Sequence, residues 1–214
     1  SVSIYIGGRD LDAFRFAAGQ FAYLTFLAMG FSAHHPFSFS AVPGSGSLRF
    51  TIKSLGDFTQ DAERIPLGTP VIIDGPLGHL TSAVAAAPAR CLIAGGIGIT
   101  AIAALASEAP ERSVVLVANR SRSDAPLVDE LRERGITLHE YYSDATPRQR
   151  IDAQGYAARR RVVADRADRH AAPTGTAQGV VGQIEHRRRV GRIAGVHLLV
   201  EGHGQAGERQ RCRS

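Results

Sequence analysis

The feature that most constrains the fold is a change of pattern near residue 88. Before that point, short alternating strands are separated by turns rich in Gly and Pro; after it, apolar strands alternate with helices. The first pattern is typical of a small antiparallel barrel or sandwich. The second is typical of a parallel, doubly wound sheet. The sequence therefore predicts a β-barrel domain over residues 1–85, followed by an α/β domain over residues 88–214.

The strands and helices follow from apolar spacing. The predicted barrel strands are residues 2–6, 21–26, 35–40, 48–53 and 70–74. In the second domain we expect strands at 91–94, 113–118 and 136–139, and helices at 100–107 and 127–134. The most apolar stretch, residues 91–106, is too short for a membrane span and is interrupted by glycines. It is better explained as a strand, a tight turn and a helix.

The charge is distributed unevenly along the chain. Residues 1–144 carry 11 basic and 14 acidic residues, whereas residues 145–214 carry 14 Arg and 6 acidic residues. The basic part includes Arg159–Arg161 and Arg187–Arg189 and has a single aromatic residue, Tyr156. Three explanations are open: a tail that binds nucleic acid or anionic lipid, an Arg-rich but folded half-domain, or the out-of-frame translation of a GC-rich gene. Few aromatics are available to stack on bases, so nucleic acid is not predicted as a partner.

A glycine-rich turn is the first chemical signal. Gly95, Gly96 and Gly98 lie between a buried strand and a helix, where backbone N–H groups suit a pyrophosphate. Glycines used only for tight packing remain an alternative. The segment Asn119-Arg120-Ser121-Arg122 follows the next strand, at the edge of the sheet where a second phosphate or a ribose would lie. For this segment, a solvated loop is the alternative.

Metal sites and hydrolytic motifs are not predicted. The pair His34 and His35 has no carboxylate or cysteine at a ligand spacing, and the two cysteines are Cys91 and Cys212. The G-x-S-x-G and H-E-x-x-H patterns are absent.

Five short motifs occur in an order that points to a family. They are Gly19-Gln20-Phe21, His35-Pro36-Phe37-Ser38, Gly56-Asp57-Phe58-Thr59, Gly75-Pro76-Leu77-Gly78 and Ala94-Gly95-Gly96-Ile97-Gly98-Ile99-Thr100. Together they resemble the ferredoxin–NADP reductase superfamily over about residues 2–144. The His-Pro-Phe-Ser form is most similar to the dehydrogenase domain of ferric reductases and NADPH oxidases.

The resemblance implies an FAD site in the barrel. Phe37 would lie against the isoalloxazine ring, and Ser38, the implied catalytic residue, would bond near flavin N5. His35 would contact the ribityl or phosphate side, and Lys53 and Thr59 the diphosphate. The remaining cofactor contacts on this side would come from Pro36, Gly75 and Gly78.

The resemblance also implies a nicotinamide site in the second domain. The turn from Gly95 through Gly96 and Gly98 to Thr100 would hold the NAD(P)H pyrophosphate. Arg120 and Ser121 would hold the adenosine ribose or its 2′-phosphate, which favours NADPH over NADH. FAD is favoured over FMN.

The implied function is flavin-dependent NAD(P)H oxidation, with electrons passed singly to heme, ferric iron or a redox protein. We expect a cytoplasmic location, at the inner face of a membrane if a heme-bearing domain precedes residue 1. Departures from the family include Ala101 for a proline, Leu77 for an aromatic, and no C-terminal Cys-Gly-Pro segment; residues 201–204 are the nearest candidate. Two alternatives are therefore kept. One is a degenerate or frameshifted fragment that binds flavin without turnover; the other is a non-enzymatic basic protein that binds nucleic acid or anionic lipid through its Arg-rich C-terminus.

Overall fold

A computed structural model of the 214-residue chain describes residues 1–54, 56–83, 89–145, 151, 190–191 and 196–202, the last two ranges as backbone only. The two arginine runs, and the hypotheses that depend on them, lie outside the described residues. So does Cys212.

The first part of the chain forms antiparallel sheets. Strand β1 pairs on one side with β4 and on the other with β10, and a second sheet has the order β3-β2-β5-β9. A bridge between Phe39 and Phe50 joins the two sheets beyond the regular strands. The strands are β1 (Val2–Gly8), β2 (Phe21–Phe26), β3 (His35–Ser38), β4 (Leu48–Ile52), β5 (Val71–Leu77), β9 (Val190–Gly191) and β10 (Val196–Gly202).

Alternation of the side chains explains these strands. In β2, Ala22, Leu24 and Phe26 are buried and the residues between them are only partly covered. Their inward faces meet Phe39 and Phe50 in one apolar core. Burial of these side chains stabilises the sheets because apolar surface leaves water. The predicted barrel-type domain is confirmed as antiparallel, barrel-like sheets.

Strand β5 extends further than its sequence predicts. The Gly75-Pro76 pair was expected to end the strand, but pairing with β2 continues to Leu77. The Gly75-Pro76 peptide bond is cis. Glycine is needed at position 75 because a Cβ there would lie 2.8 Å from the Cβ of Ala22.

The second part is a parallel sheet with helices. Its order is β6-β7-β8, with parallel pairing throughout, as the sequence predicts. Every residue from Ser113 to Val117 is buried, as expected of a parallel strand covered on both faces. The elements are β6 (Arg90–Gly95), α2 (Ile99–Glu108), β7 (Ser113–Asn119), α3 (Val128–Glu133) and β8 (Thr137–Tyr142).

The contacts that join the two parts include those of Gly19 and Arg49. Gly19 has a φ of +88°, and a Cβ there would lie 1.9 Å from the carbonyl oxygen of Leu80 and 2.9 Å from Leu105 Cδ1. Arg49 of β4 donates to both carboxylate oxygens of Glu130 on α3, at 2.7 and 3.1 Å. Burial opposes the charge of Arg49, but its bonds to Glu130 and Tyr5 outweigh burial and raise the pKa of Arg49.

Strand β10 contains the apolar run at residues 196–200. The sequence-based boundaries put this run in the second domain, whereas its backbone pairs antiparallel with β1, with Ile4 opposite Val200.

Among the helices of the described residues, none combines the length and apolarity that a membrane crossing requires.

Candidate functional site

Strand β3 carries the His-Pro-Phe-Ser motif at an edge. In the described sheet it pairs only with β2, with Phe37 opposite Ala22 and Ser38 opposite Phe21. An edge strand tolerates Pro36, which has no N–H to donate to a ladder and is exposed here. Alternation places His35 and Phe37 on one face and Pro36 and Ser38 on the other.

The rings of β3 meet one further aromatic ring. The centroid of His35 lies 4.1 Å from that of Phe58, and Phe37 stacks on Phe58 at 6.1 Å. Phe58 belongs to a short helix, α1 (Asp57–Asp61), which is not among the helices that the sequence predicts. His35 Nε2 is buried and finds no hydrogen-bond partner within the described ranges. Aromatic surface with an unsatisfied polar atom fits a flat, heteroatom-bearing cofactor such as a flavin.

The neighbouring His34 belongs to a separate polar group. Its ring stacks on Tyr23 at 4.5 Å, its Nδ1 lies 3.0 Å from Thr25 Oγ1, and its Nε2 lies 4.0 Å from Asp74. The part of the chain that the structure describes contains no group of three or more residues able to hold a metal ion.

Thr59 and Lys53 lie on either side of the start of α1. The Gly56 N–H donates to Thr59 Oγ1, and the Thr59 hydroxyl donates back to the Gly56 carbonyl, both at 2.9 Å. Lys53 Nζ lies 3.9 Å from Asp124 Oδ2, in the loop after β7. Lys53 therefore faces the junction with the second half of the molecule.

Gly75 and Gly78 face protein atoms rather than open space. A Cβ on Gly78, whose φ is +97°, would lie 3.1 Å from the ring of Phe21. A Cβ on Gly75 would lie closer still to its neighbour, 2.8 Å from the Cβ of Ala22. Both glycines shape the path of the chain beside β2.

The glycine-rich turn is open on its outer side. A Cβ on Gly95 or Gly98 would meet nothing within 4 Å, and Gly96 has a φ of +54°. The buried hydroxyl of Thr100 donates to the Ile97 carbonyl at 2.9 Å and fixes the turn against α2. The turn thus presents backbone to an open region at the carboxyl edge of the parallel sheet, where ligands bind in folds of this kind.

Asn119 lies beside this turn and begins the segment that the sequence predicts near a second phosphate or a ribose. It is 8% exposed, and neither its Oδ1 nor its Nδ2 has a hydrogen-bond partner among the described residues. A Cβ on Gly96 would lie 3.9 Å from Asn119 Oδ1. The available signal was its position: it is the chain's only asparagine and directly follows the apolar run of β7.

Arg120 and Ser121 continue into an exposed loop. Arg120 is exposed. Ser121 Oγ lies 2.9 Å from Ser123 Oγ and accepts a bond from the Asp124 N–H at 3.2 Å. Arg122 pairs with Asp129 and Glu140. The loop therefore keeps Arg120 at the same sheet edge as the glycine-rich turn.

Tyr142, the β8 residue opposite Asn119, keeps its proton. Burial and the neighbouring carboxylate of Glu140 raise the pKa of Tyr142 well above its usual range, against a smaller opposing effect of Arg122. Its hydroxyl donates to Glu140.

Comparison with known proteins supports an FAD-binding chain. Residues 4–81 match a family described as an FAD-binding domain. The chain is 27% identical to human dual oxidase 2 over 110 residues, which is 47% of this chain and 7% of the dual oxidase.

Solved structures show the fold. The cytochrome b5 reductase domain of Ulva prolifera nitrate reductase is similar with a TM-score of 0.60 and 16% identity, over 73% of this chain and 76% of that one. A ferredoxin NADP+ reductase from Neisseria gonorrhoeae, solved with FAD and NADP, gives 0.56 and 13%, over 80% of each chain. These similarities confirm the predicted fold, antiparallel barrel-like sheets followed by a parallel sheet.

Proposed function

We propose that this chain oxidises NAD(P)H through FAD and delivers single electrons to an acceptor, because residues 4–81 match a family described as an FAD-binding domain. The match over residues 4–81 is the observation that carries the proposal. Bound FAD supplies the chemistry of accepting a hydride and releasing electrons one at a time.

The barrel side chains hold and orient the flavin in this proposal. Phe37 and His35 form an aromatic cluster with Phe58 on one side of β3, and the buried Nε2 of His35 is the polar atom assigned to the flavin. The Ser38 hydroxyl is the group proposed near flavin N5. Pro36 fixes the backbone of the edge strand between these residues.

The flavin diphosphate is assigned to Lys53 and Thr59. Lys53 is a cation with one neighbouring carboxylate, Asp124, at the junction of the two halves. Thr59 already holds the start of α1 in place through its two bonds with Gly56. Gly75 and Gly78 are assigned to the flavin side of the site as well, where their close packing against Ala22 and Phe21 shapes the chain beside β2.

The sheet edge receives NAD(P)H in this proposal. The open turn of Gly95, Gly96 and Gly98 offers backbone to a pyrophosphate at the start of α2, where the helix dipole favours an anion. Arg120 and Ser121 are assigned to the adenosine ribose or its 2′-phosphate, since an arginine fork suits a phosphate. These positions favour NADPH over NADH.

We further propose a heme or ferric iron as the acceptor, at the cytoplasmic face of a membrane. This proposal follows the resemblance of the His-Pro-Phe-Ser motif to the dehydrogenase domain of ferric reductases and NADPH oxidases. The segment aligned with dual oxidase 2 spans 7% of that protein. A redox protein as acceptor is the alternative that acceptor assays would distinguish.

An anaerobic titration tests the proposed function. The full chain is loaded with FAD, freed of excess flavin, and titrated with NADPH and separately with NADH while the visible flavin absorbance is followed. We expect bound flavin that NADPH bleaches at lower concentration than NADH does. In Arg120→Ala we expect this preference for NADPH to be lost, with FAD binding unchanged.

The other outcomes separate the alternatives. Bound flavin that neither nucleotide bleaches would indicate a degenerate family member that holds FAD without turnover. A chain that retains no FAD would contradict the proposal.

A further inference from the structure

Strand β7 has a buried polar residue at each end, and only one of them is satisfied. Ser113, at the start, is fully buried, and its hydroxyl donates to the Ala109 carbonyl at 2.8 Å. Asn119, at the end, is also buried, yet neither atom of its carboxamide has a partner among the described residues. Both atoms are unpaired, so this difference does not depend on which way the amide is oriented.

An unpaired buried amide is unfavourable for folding. Its hydrogen bonds to water are lost and nothing in the described protein replaces them. The backbone of Asn119 is satisfied, because its carbonyl accepts the Ser143 N–H at 3.1 Å. The unsatisfied capacity therefore resides in the side chain alone.

The location of this carboxamide indicates what could satisfy it. Asn119 Oδ1 is the atom that a Cβ on Gly96 would approach, at 3.9 Å, so the amide lies beside the glycine-rich turn. On the outer side of that turn, at Gly95 and Gly98, the space is open. A ligand lying on the turn is thus within reach of an amide that has both a donor and an acceptor to offer.

We propose that Asn119 is a direct ligand of the nicotinamide dinucleotide, with Nδ2 donating to a pyrophosphate oxygen held on the Gly95–Gly98 turn. This inference rests on the proposed function and adds a specific contact to it. Asn119 is therefore a binding residue. Its amide is unsatisfied in the free protein and gains a charge-assisted hydrogen bond in the complex.

The single asparagine makes a direct test available. The FAD-loaded full chain, labelled with ¹⁵N only at the asparagine carboxamide, gives one pair of side-chain signals. NADP⁺ is then added, which binds without reducing the flavin. We expect this pair to shift and its protons to exchange more slowly with water. An unchanged pair, at NADP⁺ concentrations that shift the amide signals of a glycine-labelled sample, would overturn the inference.

A matched pair of variants provides a second test. In Asn119→Leu we expect an unchanged or higher Tm, because the unpaired amide is gone, together with NADP⁺ binding weakened about tenfold or more and unchanged FAD affinity. In Ser113→Ala we expect a lower Tm and unchanged NADP⁺ binding. If Asn119→Leu instead lowers the Tm and leaves NADP⁺ binding intact, the carboxamide is structural and the inference fails.

The wild-type protein separates this inference from the proposed function. If the wild-type protein binds NADP⁺ while the chemical shifts of the asparagine carboxamide stay unchanged, only the role of Asn119 is overturned. If it binds FAD but no nicotinamide nucleotide at all, both are overturned. Should Asn119→Leu fail to fold, the spectrum of the wild-type chain still decides.

Discussion

The two candidate sites are built from different parts of the chain. The barrel site consists of side chains, with His35 and Phe37 within 4.1 to 6.1 Å of Phe58. The sheet-edge site consists mainly of backbone, at glycines where a Cβ would meet nothing within 4 Å. A flat ring is matched by shaped aromatic surface, whereas a pyrophosphate needs unobstructed N–H groups. Substitutions in the barrel site should therefore lower the stability of the fold, whereas substitutions at the sheet edge should weaken nucleotide binding.

The largest effect is expected where the two halves meet. Gly19→Ala would place a Cβ 1.9 Å from the Leu80 carbonyl at a φ of +88°. We expect a loss of about 3 kcal/mol or more in the free energy of unfolding, measured by urea denaturation. Gly44→Ala is the control, because Gly44 has a φ of +81° with open space around it. It should lose only about 1–2 kcal/mol; equal losses would refute the packing explanation.

Phe58→Ala tests the barrel side of the comparison. Phe58 also contacts Phe26 and Phe31, with centroids 6.0 and 5.8 Å away. We expect a loss of about 2–3 kcal/mol in stability, because the half-buried ring leaves its neighbours unpacked. FAD affinity, measured by quenching of flavin fluorescence, should fall as well. Unchanged stability with reduced FAD affinity would mean that this site is not held by side-chain packing.

Arg49 and Arg134 bond the same carboxylate, that of Glu130, and their substitution tests which ion pair stabilises the junction of the two parts. Arg49 bonds Glu130 in a partly buried position, whereas Arg134 bonds the same carboxylate at 3.1 Å from a more exposed one. We expect Arg49→Met to lower the free energy of unfolding by about 2 kcal/mol, because it leaves Glu130 without its buried partner. Arg134→Met should change it by about 0.5 kcal/mol or less. Thermal denaturation of both variants would show whether that order holds.

Gly95→Ala tests the sheet-edge side. Its φ of −108° suits any residue, and an added methyl group meets only open space. We expect a stability change within about 0.5 kcal/mol, but severalfold weaker NADP⁺ binding by calorimetry, because the methyl occupies the space where a pyrophosphate would lie. An unchanged NADP⁺ affinity in this variant would contradict the claim that the sheet-edge site binds its ligand through open backbone.

The smallest expected effect is on the reactivity of Cys91, a residue of β6 in the second part of the molecule. Burial raises the pKa of the Cys91 thiol. In a Cys212→Ser background we expect iodoacetamide to react more slowly with the folded chain than with the unfolded one near pH 8, since less thiolate is present. The contribution of this shift to stability is present below the unfolded thiol pKa and declines as the pH rises through the folded one. Equal rates would show that this strand is exposed.

The fold was largely predictable from apolar spacing, and the exceptions have physical causes. Alternation in β2 and the apolar run of β7 located both strands correctly. The extension of β5 was missed because Gly75-Pro76 usually ends a strand, and α1 because five residues carry little periodicity.

The site was only partly predictable. Motifs located β3 and the glycine-rich turn, because short local patterns encode them. The contact between Arg49 and Glu130 spans 81 positions in sequence, and no local pattern encodes it. The sequence places Asn119 in a segment expected near a phosphate or ribose, but only the folded structure shows that its amide lacks partners among the described residues.

The most direct test of the account is single-turnover reduction of the FAD-loaded chain by NADPH carrying deuterium at nicotinamide C4, compared with ordinary NADPH. If the barrel and the sheet edge form one hydride-transfer site, the bound flavin bleaches faster than free FAD under the same conditions. Bleaching is then slower with deuterium, because the transferred bond breaks in that step. Bound flavin that bleaches no faster than free FAD would contradict the account.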